Sequence, residues 1–238
     1  MKITTKTALF YQLLGLISLF VYGTTVAENT NTVPLKTIKI TSDDWCPYIC
    51  PETLRNKGLI IEIATAALQE VGLKTEYVYT RSWKRAIQNV TNGISDILLD
   101  ADEEHSKILD FSGSFYVLDE SVFVILKNRD ITLNYPKDLK GYKLGVIEDY
   151  VYDEKHGPWE KQINEHPNTL KTKESLGEPH LLKLLARKRI DIALVNWDVA
   201  RYKLDETQIK QFSTISKGVS SYLHLGFRRS DRGRKVRK

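Results

Sequence analysis

The sequence predicts an α/β protein of two lobes with a cleft between them. Three observations carry this. Strand and helix periods alternate from residue 35 onward, the pattern restarts near residue 121, and long strand-like segments join the two halves. Each half is expected to be an open, mostly parallel sheet flanked by helices, because strand–helix–strand units close in that way.

The elements follow in order. LKTIKITS (35–42) alternates through Leu35, Ile38 and Ile40 and reads as a strand, and the loop DDWCPYICPE (43–52) follows it. LIIEIATAALQEVG places Ile60, Ile61, Ala64, Ala67, Leu68 and Val71 on one helical face, with Gly72 as its stop. LKTEYVYT is a strand. SWKRAIQNVTNG is a helix with Ser82 as N-cap and Asn92-Gly93 as terminator, and ISDILLD is a strand of the fully buried kind. The second round comprises SVFVILKN (121–128), the polar turn YPKDLKG, the strand YKLGVIED, the helix EPHLLKLLARKR, the strand RIDIALVN and the short helix WDVARYKL. SYLHLGFRR (221–229) alternates as a final strand. Ligands of such sheets bind at the carboxyl ends of the strands and at domain interfaces.

The termini differ in character from the rest. Lys2 and Lys6 precede the uncharged apolar run 8–23, and Thr25 and Ala27 supply small residues before Glu28. This layout predicts a cleaved secretory signal over 1–27; the competing reading is a membrane anchor. Cleavage would make the mature chain soluble and exported. The formal charge is +5 overall. The last eleven residues carry +6, and the mature chain without them carries −3. The basic character therefore belongs to the C-terminal tail (230–238 and its approach), expected to be solvated. No zinc-finger, helix-turn-helix or RNA-binding pattern points to nucleic acid.

The collinear motifs resemble bacterial extracellular solute-binding proteins of family 3, the type II periplasmic binding proteins that serve polar amino-acid ABC transporters. GLIIEIATAALQEVG and SWKRAIQNVTNGISDI are similar to that family's first two helices and third strand. ILDFSGSFY resembles its DFS motif before the crossover, and LKGYKLGV and LLKLLARKRIDIALVNWDVARY resemble its second lobe. The resemblance runs from about Leu35 to Arg229. It implies lobe one at 35–122 plus 220–229, lobe two at 129–219, and crossings near Phe123–Asn128 and Ser220–Gly226. It further implies a monomer that closes on a small-molecule solute and hands it to an inner-membrane ABC permease.

Departures from the family pattern bear on the solute. His105 stands where amino-acid binders carry the arginine that forks onto the ligand carboxylate, and Asn196 stands where they carry an aspartate for the ammonium. A histidine offers fewer donors and no permanent charge. An ordinary α-amino acid is therefore not the default ligand. Asp100, Asp102, Glu103 and Glu104 cluster near the expected cleft, which fits either a cationic solute or a solvated acidic loop. Asp44, Trp45 and Tyr48 in the first loop, Trp83, Tyr150 and Trp197 complete the candidate ligand-binding set. Cys46 and Cys50, separated by three residues, are expected to bridge in an exported chain and to hold the shape of their loop; two free thiols are the alternative.

No nucleophile elbow, zinc-protease motif or phosphate loop is present, and the histidines show no metal-ligand spacing, so no cofactor or metal is expected. Two other functions stay open: a stand-alone sensory or accessory module of the same fold, and an enzyme using His105 with neighbouring acids as an acid–base set. Relatives end in a helix that packs on lobe one. Its absence here would leave apolar surface exposed.

Overall fold

The computed structural model describes residues 37–114, 116–153, 157–215 and 218–237. The expected signal segment lies outside the described residues. No described helix is long and apolar enough to cross a membrane.

The first βαβαβ pattern forms as its periodicity demands. Strand β1 (Thr37–Ser42) leads through the cysteine loop into α1 (Leu59–Glu70), then β2 (Lys74–Tyr79), α2 (Trp83–Thr91) and β3 (Ile97–Ala101). Strand β1 is paired in parallel with both β2 and β3. Helix α1 buries Ile60, Ile61, Ala64 and Leu68 in a core with Ile38, Ile40 and Leu99. The Ser82 side chain accepts from the Arg85 N–H and caps α2.

A short strand β4 (Leu109–Phe111) precedes the long β5 (Val117–Leu126). The second round comprises β6 (Leu144–Ile147), α3 (Pro158–Glu165), β7 (Thr169–Thr172), α4 (Gly177–Ala186), β8 (Ile192–Asn196) and α5 (Trp197–Lys203). A one-turn helix α6 (Glu206–Ile209) and β9 (Phe212–Thr214) then lead to β10 (Val219–Arg228) and α7 (Asp231–Arg237). Strand β6 is parallel to β7 and β8. Their core gathers Phe123, Ile125, Leu144, Val146, Ile192 and Leu194 on one side. Leu181, Leu182, Leu185, Ala193 and Val195 pack on the other.

The strands join in the order β2-β1-β3-β10-β5-β8-β6-β7, with β4 on β10 and β9 on β5. Strand β10 belongs to both halves. Its Val219–Leu223 segment pairs with Val117–Ser121 of β5, while His224–Arg228 pairs with β3 and β4. The passage between halves is therefore this antiparallel ribbon. For the first crossing it lies earlier than the Phe123–Asn128 expected, because Phe123 to Leu126 are already paired with β8 and β9 and Phe123 is fully buried.

The C-terminal stretch read as a solvated tail is instead helix α7. Arg232 binds Asp96 through Nε at 2.6 Å and Nη2 at 2.8 Å, and also donates to the Thr37 carbonyl. Val236 packs on the core of the first half. A side chain at Gly233 would meet the Arg228 carbonyl oxygen at 1.9 Å, so only glycine lets the helix sit so close.

Candidate functional site

The parallel strands of each half turn their carboxyl ends toward the other half, and the loops that leave them build one cavity. Its volume is about 50 Å³. Asp43 and Trp45 come from the loop after β1, Asp100 and Asp102 from the end of β3, and Trp83 from the start of α2. Asp149, Tyr150 and Val151 come from the loop after β6, and Asp119, Ser221 and Leu223 from the ribbon.

Local chemistry fixes each loop. The Cys46–Cys50 disulfide closes the tip of the first loop, and Trp45 pairs with Ile49 across it. The loop docks on α1, which has no side-chain cap: the Pro47 and Tyr48 carbonyls accept from Leu59 N and Ile60 N. Gly58 makes this possible at φ 109°, where a Cβ would lie 2.3 Å from the Tyr48 oxygen. In the second half, the Tyr152 hydroxyl accepts from Ile147 N at 2.7 Å and Tyr152 N donates to Glu160. Those bonds hold the Asp149–Val151 turn, in which Asp149 takes a left-handed φ of 63° that aspartate tolerates better than most residues.

The cavity is acidic. Asp43, Asp100 and Asp102 are all buried. Burial, with the Glu174 carboxylate as the next contributor, pushes Asp43 up to about 7. Burial and Asp43 push Asp100 well above the usual carboxylate range, although the Ser42 hydroxyl donates to it at 2.6 Å. Burial raises Asp119 to about 6, against the opposing amide hydrogen bond from Asn196 at 2.8 Å. Behind the wall, burial raises Glu178 to about 7 in spite of Lys203 nearby. Asp102 accepts from Glu104 N and engages His105 Nδ1 at 2.9 Å. Among the described residues, none of the cavity-lining side chains is Lys, Arg or His. Trp45 is 6% exposed, and its Nε1–H finds no acceptor among the described residues.

A larger groove of about 560 Å³ shares Asp102, Val151 and Ser221 with the cavity. It adds Glu103, Glu104, Glu160 and Glu165 against Lys107 and Lys161. Among the described residues, direct bonds also span the halves beside the cavity. The Tyr48 hydroxyl donates to Asp198 at 3.1 Å, and Trp83 N donates to Glu174 at 2.8 Å.

Of the residues singled out from sequence, Trp45, Trp83, Asp100 and Tyr150 meet around the cavity. Tyr48 stands at its edge, its ring tilted against that of Trp45 with centroids 4.7 Å apart. His105 is outside the lining; its ring meets the Trp83 ring edge-on at 5.2 Å. Asn196 is also outside: it caps α5 by accepting from Asp198 N and Val199 N. Trp197 packs on the second half's core, and Asp44 is exposed while its neighbour Asp43 lines the cavity. Asp43, Asp119, Asp149, Val151, Ser221 and Leu223 were not in the set. An acid and a serine in two long strand-like segments, Asp119 and Ser221, which the structure pairs with each other, were the available signal. Among the described residues no group of His, Cys, Asp and Glu could hold a metal ion.

Residues 38–211 match the description "Bacterial extracellular solute-binding proteins, family 3", well over half of the chain. The chain belongs to this family. Among curated proteins, none is a significant match in sequence. Three solved structures place the fold of this solute-binding protein in a wider group. A histidine kinase sensor domain with similarity to periplasmic binding proteins is 18% identical with TM-score 0.66, over 85% of this chain and 87% of that one. The holo ArgBP from T. maritima is 16% identical with TM-score 0.61, over 84% and 87%. A substrate-binding protein of an amino acid ABC transporter is 21% identical with TM-score 0.62, over 84% and 89%. At these identities the likeness shows the fold, that of the type II periplasmic binding proteins.

Proposed function

We propose that this family member is exported, binds one small polar solute in the acid- and tryptophan-lined cavity, and delivers it to an ABC-type permease. The observation that carries this is the cavity itself, built from the carboxyl ends of strands in both halves. The halves act as lobes that hinge on the Val117–Ser121/Val219–Leu223 ribbon, inside the bounds of 35–122 with 220–229 and 129–219 expected from the sequence. A volume of about 50 Å³ is far below the several hundred Å³ that small-molecule pockets usually offer, so entry requires the lobes to part. The Tyr48–Asp198 and Trp83–Glu174 bonds break when the lobes part. No turnover is assigned: His105, the candidate acid–base group, is turned into Asp102 and Trp83 instead of the cavity.

The test is a panel of amino acids, amines and organic acids read by tryptophan fluorescence and melting temperature. Trp45 and Trp83 line the cavity, so a bound solute changes both signals. A panel that moves neither signal removes the reading. A second reading, a sensory module that reports the solute to a partner, draws on the likeness to the histidine kinase sensor domain. Permease and ATPase genes beside this one favour delivery; their absence favours sensing.

A further inference from the structure

We propose that the solute is an organic cation without a carboxylate, such as a diamine or a guanidino-amine, held by Asp43, Asp100 and Asp119 between the rings of Trp45, Trp83 and Tyr150. This rests on the cavity being the solute site. An amino acid brings an anion as well as a cation, and among the described residues no lysine, arginine or histidine in the lining meets that anion. The residues at the two places where amino-acid relatives clamp the zwitterion are otherwise engaged: His105 on Asp102, Asn196 on Asp119 and the α5 N-terminus. A ligand carboxylate would therefore lie beside buried acids with no cationic side chain of the described lining to meet it, which is unfavourable. A cation gains from the same acids and from the three aromatic rings that line the cavity. The acid-rich groove beside the cavity would concentrate cations at its mouth.

Burial holds protons on part of this acid set. Asp43 faces Glu174, Asp44 and Asp100 as like charges and Lys203 as its opposing one; Asp100 faces Asp43 and Asp102; Asp119 faces Glu120 and the Asn196 amide. A cation entering must displace those protons. Binding therefore strengthens as pH rises through about 6 to 7 and releases protons.

Calorimetric titration of the full chain with two matched pairs tests the class: cadaverine against lysine, and agmatine against arginine, each at pH 5.5 and 7.5 in low salt. The decarboxylated member of at least one pair should bind at least tenfold tighter than its amino acid. Its affinity should fall at least tenfold at pH 5.5, with protons released in buffers of differing ionisation enthalpy. Asp43→Asn or Asp100→Asn, checked for native circular dichroism, should weaken it at least tenfold at pH 7.5. An amino acid, basic or neutral, that binds as well as or better than the amines overturns the ligand class and leaves solute binding standing. Binding of amines without proton release overturns the assignment to these acids. If no member of the wider panel binds, the solute-binding reading itself falls.

Discussion

Asp43 shows how a single residue sets the character of the cleft. It is 5% exposed, and burial together with Glu174 makes its charged form costly. Asp43→Asn removes that cost, so without solute the variant should gain about 1–2 kcal/mol in chemical denaturation at pH 7.5. The gain should shrink at pH 5, where the native carboxyl is already protonated. Equal effects at both pH values would contradict the assigned proton. At this scale the sequence was only partly legible. Trp45, Trp83, Asp100 and Tyr150 stood out by residue type and by position after strands or at a helix start. Asp43 and Asp44 are adjacent acids, and composition cannot say which one turns inward. Asn196 and Trp197 follow a strand end just as the cavity residues do, yet one caps a helix and the other packs in the core.

Among the elements, the loop with Cys46 and Cys50 and helix α7 show what pattern reading does and does not reach. The loop's place after β1, its disulfide and its nearness to the cleft were all legible, because a strand, two prolines and paired cysteines constrain one another. Helix α7 was not. Its sequence is mostly charge, with Val236 as its single large apolar residue, so no hydrophobic period announces it. It is held by Arg232 on Asp96 and the Thr37 carbonyl, contacts that exist only once β1 and the α2–β3 turn are in place. Arg232→Ala leaves a mostly buried Asp96 without its guanidinium partner, although Lys39 N still donates to it at 2.9 Å. The expected loss is about 1–3 kcal/mol in chemical denaturation, with α7 amides exchanging faster with solvent. Unchanged exchange in α7 would show that Val236 and the close packing at Gly233 suffice to hold it.

For the whole molecule, the two-round βαβ pattern and the returning strand carried the architecture into the sequence, since periodicity and parallel pairing are local in their rules. The site was less legible, because Asp119, Asp149 and Ser221 meet only when the two rounds close on each other. That closure has a pH signature. Asp43, Asp119 and Glu178 have native values near 7, 6 and 7, above those of unfolded carboxylates. The folded chain therefore holds more protons than the unfolded chain between about pH 4 and 7. Their contribution to stability is present at low pH and is lost as pH rises through that window, by about 1.4 kcal/mol per unit for each proton of difference. His224, held below its usual value by burial, works in the opposite direction below about pH 6.5 but is one group against several. Without solute, the melting temperature should be higher at pH 5.5 than at pH 7.5, and solute at pH 7.5 should narrow the gap. A melting temperature that rises steadily with pH would refute this picture of the cleft.

The central claim is that one small solute occupies the acid-lined cavity between the halves. Native mass spectrometry of the full chain, titrated with the amine and amino-acid panel, tests it most directly. The account predicts a single bound equivalent that disappears in an Asp43→Asn/Asp100→Asn double variant retaining native circular dichroism. No bound solute across the panel, or the same occupancy in the double variant, would contradict it.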